Sequence, residues 1–161
     1  MKVLSVDPGY GRCGLAVVEK LNGREALVFS TCVETPSSME FPSRLAQIVQ
    51  SFEGILREYA PDAVALEKLF VTKNQKTAMR VSEVRGALIA AAAQHNLPVF
   101  EYTPGEVKSA SAGNGRADKQ AVIKMLHALV TIRDDIRHDD EYDAIAVGIT
   151  HLARARGVPL R

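Results

Sequence analysis

The sequence predicts one α/β domain, a mixed five-stranded sheet of three antiparallel strands and then two parallel ones, with helices on both faces. Three observations carry that expectation. Residues 1–35 alternate apolar runs with tight turns. Two helix-then-strand units follow, each ending in a short apolar segment. The remaining third of the chain is helical in pattern.

Residues 1–7 form the first strand, with Val3, Leu4 and Val6 apolar, and Pro8-Gly9-Tyr10-Gly11 breaks it. Residues 13–20 form the second, carrying Leu15, Val17 and Val18. Asn22-Gly23 is a strong hairpin signal, because both residues tolerate positive φ. Residues 25–35 return antiparallel, so the chain opens as a three-stranded meander. Pro36-Ser37-Ser38 ends it. From Phe41 the apolar residues Leu45, Ile48, Val49, Phe52, Ile55, Leu56 and Tyr59 fall in steps of three and four, one stripe of a helix that Pro61 closes. Residues 62–68 form a buried strand ending near Glu67, 75–95 a second long helix, and 98–102 a fifth strand. A short helix from Gly105 and helices over 118–130 and 139–155 complete the order βββ-α-β-α-β-α-α-α. The first strand is expected at the centre of the sheet, since it is apolar and has neighbours on both sides.

The chain has 161 residues, 47% of them hydrophobic and 24% charged. That suits one domain with a real core. We expect it to span residues 1–157, with 158–161 a short tail. No apolar run reaches the ~20 residues of a membrane helix, and the opening residues are charged too soon for a secretory signal. Cys13 and Cys32 have no paired-motif spacing and read as buried free thiols in a reducing, cytoplasmic compartment. The net charge is +1, but it is unevenly spread. Residues 1–67 hold 6 Lys/Arg against 9 Asp/Glu, residues 68–137 hold 11 against 6, and residues 138–161 hold 3 against 4. A basic surface beside an acidic pocket fits that distribution, as does an ordinary solvated helical face.

Four acids stand out by position. Asp7 and Glu67 each end an apolar strand, and Asp140 and Asp143 open the last helix on one face at i, i+3 spacing. Strand ends and the start of a covering helix can converge at one edge of an α/β sheet, where ligands commonly bind. Four carboxylates in one pocket need protons or cations, and oxygen ligands without His or Cys favour Mg²⁺ or Mn²⁺. Two such ions would clamp both sides of a phosphodiester. Each acid also has a plainer reading. Asp7 before Pro-Gly suits a turn, Glu67 suits a pair with Lys68 or an arginine, and Asp140 and Asp143 suit a helix N-terminus. Asp139 and Glu141 read as first-turn acids of that last kind.

The motifs resemble those of the RuvC family of crossover-junction endodeoxyribonucleases, in order from residue 6 to His151. Val6-Asp7-Pro8-Gly9 with Gly14 resembles its opening strand-turn-strand, and Pro42-Ser43-Arg44-Leu45 the start of its first helix. Leu66-Glu67-Lys68-Leu69-Phe70 with Lys73-Asn74 resembles its second acidic motif, and Ser82-Glu83-Val84-Arg85-Gly86 its long helix. Gly113 to Lys119 resembles its basic loop, and Asp140-Glu141-Tyr142-Asp143-Ala144 its closing acidic pair. The resemblance implies a ribonuclease-H-like fold. It implies paired, metal-dependent cuts in four-way DNA junctions that leave 5′-phosphate and 3′-hydroxyl ends. Asp7, Glu67, Asp140 and Asp143 would then be the catalytic metal ligands. Lys108 and Lys119 would meet phosphates near the cut, with Lys73 and Arg116 also on DNA, and Phe70 would stack on a base. A homodimer with the helix 75–95 at its interface is implied, as is a branch-migration helicase partner. The Ala87–Ala93 half of that helix suits close helix approach or a dry core equally.

The chain departs from the family pattern in places. Ser-Ala-Ser-Ala fills the stretch between Lys108 and Gly113 where a β-branched pair is expected. Glu141-Tyr142 is bulky where small residues are usual, and Asp139, next to His138, is an extra acid that competes with Asp140 for the ligand role. An actin-like ATPase or sugar kinase shares the Asp-Pro-Gly hairpin but needs a second phosphate motif and a longer chain. A junction binder without chemistry and an RNA-processing nuclease of the same fold are further alternatives.

Overall fold

A computed structural model of the chain describes residues 1–69, 75–113, 115 and 117–155. The strands are β1 (Lys2–Asp7), β2 (Arg12–Leu21), β3 (Arg24–Glu34), β4 (Ala63–Glu67) and β5 (Val99–Tyr102). The helices are α1 (Phe41–Tyr59), α2 (Gln75–Gln94), α3 (Pro104–Ala112), α4 (Lys119–Leu129) and α5 (Asp139–Arg154). The strands lie in the order β3-β2-β1-β4-β5, so β1 is central as expected. It pairs antiparallel with β2 and parallel with β4. The meander turns at Asn22 and Gly23, with φ of 51° and 81°.

Turn and cap chemistry fixes the helix ends. α1 stops where Ala60 takes the left-handed conformation, at φ 44° and ψ 63°, and donates its N–H back to Leu56. Pro61 then bars further helix. Thr103 and Glu106 form a reciprocal capping box that starts α3. Asp118 caps α4 through the Ala121 N–H. α5 has no side-chain cap at His138, although its first turn carries three acids.

Side-chain alternation along the strands divides the core in two. Leu4, Val6, Leu15, Val17, Val64 and Leu66 face α1 and α2, where Ile48, Phe52, Val84 and Leu88 meet them. Val3, Ala16, Val18 and Ala65 face the other way and pack with Ile145, Val147 and Leu152 of α5. Ser5 lies on that second face too, since a Cβ at Gly148 of α5 would fall 2.6 Å from its Oγ. Continuing the alternation, Asp7 after Ser5 and Glu67 after Ala65 both emerge on the α5 side. β1 and β4 are parallel neighbours with Val6 beside Leu66, so the two acids leave adjacent strand ends on one face.

The Ala-rich half of α2 serves two purposes. Ala91 and Ala92 are buried in the core, while Ala90 and Ala93 are exposed. Of the two cysteines, Cys13 is buried as expected, but Cys32 is only half-buried. It lies opposite Gly14, which has no side chain to cover it. Both thiols are free. No helix among the described residues is long and apolar enough to cross a membrane.

Candidate active site

Asp7 is the centre of the acidic cluster. Its carboxyl is pushed up to about 8 by burial, and then by the charges of Asp143, Glu67 and Asp140 in turn. Glu67 is raised by burial first and then by Asp143, with Lys108 and Arg85 pulling the other way. Asp143 is raised by burial, against the hydrogen bond and charge of Lys119. Two strand ends and the head of α5 therefore bring together the four acids that the sequence singles out.

Backbone contact brings α5 so close. Gly14 sits opposite Asp7 in the β1–β2 ladder, and a Cβ on it would lie 1.8 Å from the Asp140 carbonyl oxygen. Only hydrogen on that face of β2 lets the first turn of α5 lie directly over the strand pair. Gly9 is held similarly, its missing Cβ 2.1 Å from the Arg12 carbonyl, which keeps the turn after Asp7 tight.

Three cations from different parts of the chain meet the four acids at the head of α5. Lys119 of α4 donates to Asp143 Oδ2 at 3.0 Å and stands 3.2 Å from Asp139 Oδ2. Arg12 of β2 places Nε 3.2 Å from Asp140 Oδ2. Arg133, between α4 and α5, reaches Glu141 Oε1 at 2.8 Å. Asp140 Oδ2 is nevertheless buried without a hydrogen bond. The Arg12 contact is one of charge at that distance, not an aligned donation, so this oxygen still has a lone pair to satisfy.

Asp139 and Asp140 separate on exposure. The Asp139 side chain is 68% exposed and the Asp140 side chain 22%. Asp140 is among the charges that raise Asp7. Glu67 is not neutralised by an arginine in the manner of its plainer reading. Arg85 donates instead to the Glu67 backbone carbonyl and pairs with Glu101.

A pocket of about 250 Å³ opens beside the cluster, lined by Glu67, Pro104, Val107, Lys108, Lys119, Val122, Asp143 and Ala146. Lys108 and Lys119, expected on DNA, thus flank two of the acids. Phe70, Lys73 and Arg116, and with them the tail 158–161, lie outside the described residues. Sequence reasoning missed Arg12, Arg85 and Arg133. Arginines are common, and only the fold reveals which of them face the acids.

The donor set is all oxygen, suited to a hard divalent cation. Among the described residues no three His, Cys, Asp or Glu side chains are already poised to hold a metal ion. The carboxylates instead borrow charge from Lys119 and Arg12. The raised Asp7 and the unsatisfied Asp140 oxygen mark a site short of positive charge, which divalent ions fit.

A mixed sheet in this order, with carboxylates on adjacent ends of its central strands and under its last helix, defines a ribonuclease-H-like fold carrying a nuclease-type acidic cluster. The chain belongs to the crossover junction endodeoxyribonuclease RuvC family, whose model matches residues 3–151. It is 40% identical over 156 residues to the RuvC of Thermotoga petrophila, covering 97% of this chain and 94% of that one. To that of Desulfitobacterium hafniense it is 41% identical over 151 residues, covering 94% and 92%. Among solved structures it superposes on T. thermophilus RuvC in complex with a Holliday junction substrate, with TM-score 0.90 and 32% identity, covering 97% and 95%. The yeast mitochondrial Holliday junction resolvase shares the fold, with TM-score 0.71, 15% identity and coverage of 94% and 77%.

Proposed function

We propose that the chain resolves four-way DNA junctions by paired, metal-dependent phosphodiester hydrolysis, leaving 5′-phosphate and 3′-hydroxyl ends. Family membership and the likeness to a junction-bound relative support the substrate. One observation carries the chemistry: Asp7 and Glu67 leave adjacent parallel strand ends under the head of α5, which lies against Gly14 and carries Asp140 and Asp143. Asp7, Glu67, Asp140 and Asp143 would hold two Mg²⁺ ions, with Mn²⁺ able to substitute. The bound ions supply the charge that activates water for in-line attack and steadies the departing 3′ oxygen.

The chain's own residues prepare the rest. Asp7 and Glu67 are fixed by strands and keep their geometry, while Asp140 and Asp143 ride on a helix held down at Gly14. Lys108 and Lys119 at the pocket rim meet phosphate oxygens of the strand being cut. Phe70, Lys73 and Arg116 extend that interface, Phe70 by stacking on a base where pairing is lost. Two opposed cuts require two such sites, hence a homodimer matched to the two-fold symmetry of the junction. α2 offers a surface for it: Met79, Ser82, Gly86, Ala90 and Ala93 form an exposed stripe of small residues below one methionine. Action inside the cell beside a branch-migration helicase follows from the family, and residues 1–157 would act as one domain.

The test is cleavage of a labelled synthetic four-way junction with Mg²⁺, with Ca²⁺ and with EDTA, against duplex DNA and an RNA–DNA hybrid. Symmetric nicks in the junction with Mg²⁺ alone are expected. Binding without cutting in Mg²⁺ would make the protein a junction binder, and preference for the hybrid would move it to RNA processing.

A further inference from the structure

We infer that Arg133 and Glu141 are positioning residues: a salt link outside the metal pocket that fixes the head of α5 and so sets Asp140 and Asp143. The inference rests on the metal-site reading above.

Glu141 stands between the two candidate ligands in sequence, yet it is 3% exposed. A carboxylate that deep needs a counter-charge. Arg133 provides it at 2.8 Å, and its Nε also stands 3.0 Å from Asp135 Oδ1. Tyr142 adds a second tie, its hydroxyl 3.3 Å from His127 Nε2 on α4.

His138 at the start of α5 gives no side-chain cap and instead meets Glu34 and Arg12 on the sheet. The other cationic contacts of the helix head, Lys119 to Asp139 and Asp143 and Arg12 to Asp140, are on the cluster itself. Divalent ions arriving there compete with Lys119 and Arg12 for the same oxygens. Arg133 contacts Glu141 and Asp135 and not those oxygens, so ions bound there do not compete for it. The Arg133 side chain is half-exposed, so the link tolerates solvent on one side while Glu141 stays dry.

Removing either partner breaks the link, and removing Arg133 also leaves a buried carboxylate without a counter-charge. The experiment compares Arg133→Ala, Glu141→Ala and the double variant by Mn²⁺ titration calorimetry, by kcat and KM on a four-way junction, and by junction binding in EDTA. Arg133→Ala should weaken Mn²⁺ binding and lower kcat, each by roughly tenfold, with KM and EDTA binding unchanged. Glu141→Ala should move the same two quantities in the same direction, and the double variant should be no worse than Arg133→Ala, because one shared link is lost in all three. If Arg133→Ala fails to fold, a folded Glu141→Ala chain with weakened Mn²⁺ binding supports the proposal in its place. Folded variants that lose stability but keep Mn²⁺ affinity and kcat overturn the proposal, as does a Glu141→Ala chain that matches the unsubstituted one in both. Failure of the unsubstituted chain to bind Mn²⁺ or cut would instead sink the reading beneath it.

Discussion

The Cβ that Gly14 lacks would stand 1.8 Å from the backbone carbonyl oxygen of Asp140. No side chain can yield there, because the obstacle is the helix backbone. Gly14→Ala must push the head of α5 off the sheet beside Asp7. We predict a loss of ~3 kcal/mol or more, at the upper end of overpacking costs, and loss of junction cleavage at temperatures where the variant is still folded. Gly148→Ala is the comparison. Its Cβ would crowd side chains, Ser5 Oγ and Val18 Cγ2 at 2.6 Å, two turns further along α5. It should destabilise the fold in urea while retaining more of the cleavage rate. Equal losses of rate would separate the Gly14 contact from the site.

Asp7 carries a pH signature. Its folded-state carboxyl lies near 8 against an ordinary 3.8, raised by burial and by its acidic neighbours. The folded chain thus keeps a proton that the unfolded chain releases. Metal-free stability from this group is fully present below pH ~4 and is lost as pH rises to about 8. Asp7→Asn removes the penalty of ionising. Without metal it should melt higher than the parent, by several degrees at pH 8.5 and by much less at pH 5, at ~2–4 °C per kcal/mol for a chain of this size. Mn²⁺ should raise the melting temperature of the parent and hardly move that of Asp7→Asn, which should still bind junctions but not cut them. Melting curves across pH with and without Mn²⁺ check both statements. A pH-independent difference would contradict the crowding of charge at Asp7.

Asp139 and Asp140 are neighbours with different fates. Asp140 keeps a buried oxygen without a hydrogen bond, while Asp139 is mostly in water and shares Lys119 with Asp143. Asp140→Asn should cut cleavage in Mg²⁺ by at least ~100-fold, as expected for a lost ligand. Asp139→Asn should change it by no more than about threefold, because exposed ion pairs contribute little. Single-turnover rates on one junction decide between them, and reversed effects would transfer the role to Asp139.

Much of this was legible in the sequence, for reasons that particular residues make plain. The period of two through Val3, Ser5 and Asp7, repeated in Ala63, Ala65 and Glu67, already puts both acids on one sheet face. The stripe from Ile48 to Leu56 and the turn at Asn22-Gly23 needed no tertiary context, since local geometry determines them. The cations could not be read the same way. Arg12, Arg85 and Arg133 reach their partners across elements, and nothing local distinguishes Arg12 from Arg24. Asp140 over Asp139 came from the motif resemblance and not from spacing, because one residue of rotation on a helix decides which carboxyl points inward.

Lys119 occupies the charge-hungry side of the pocket and holds Asp143 at 3.0 Å. Lys119→Ala should therefore move two properties in opposite directions. Mn²⁺ affinity should rise by about threefold, since a competing cation is gone. Junction binding should weaken with a salt slope shallower by ~1, since a phosphate contact is lost. Calorimetry and binding isotherms at several salt concentrations read the two separately. Weaker Mn²⁺ binding would mean that Lys119 supports the ion rather than standing in for it.

The most direct measurement is anomalous diffraction at the manganese edge from crystals soaked in Mn²⁺. Peaks should appear between the β1 and β4 ends and the head of α5, with carboxylate oxygens of Asp7, Glu67, Asp140 and Asp143 at ~2.0–2.3 Å, and with Lys119 turned away from Asp143. Peaks elsewhere, or none in crystals of protein that still cuts junctions in Mn²⁺, would contradict a metal centre built from these four acids.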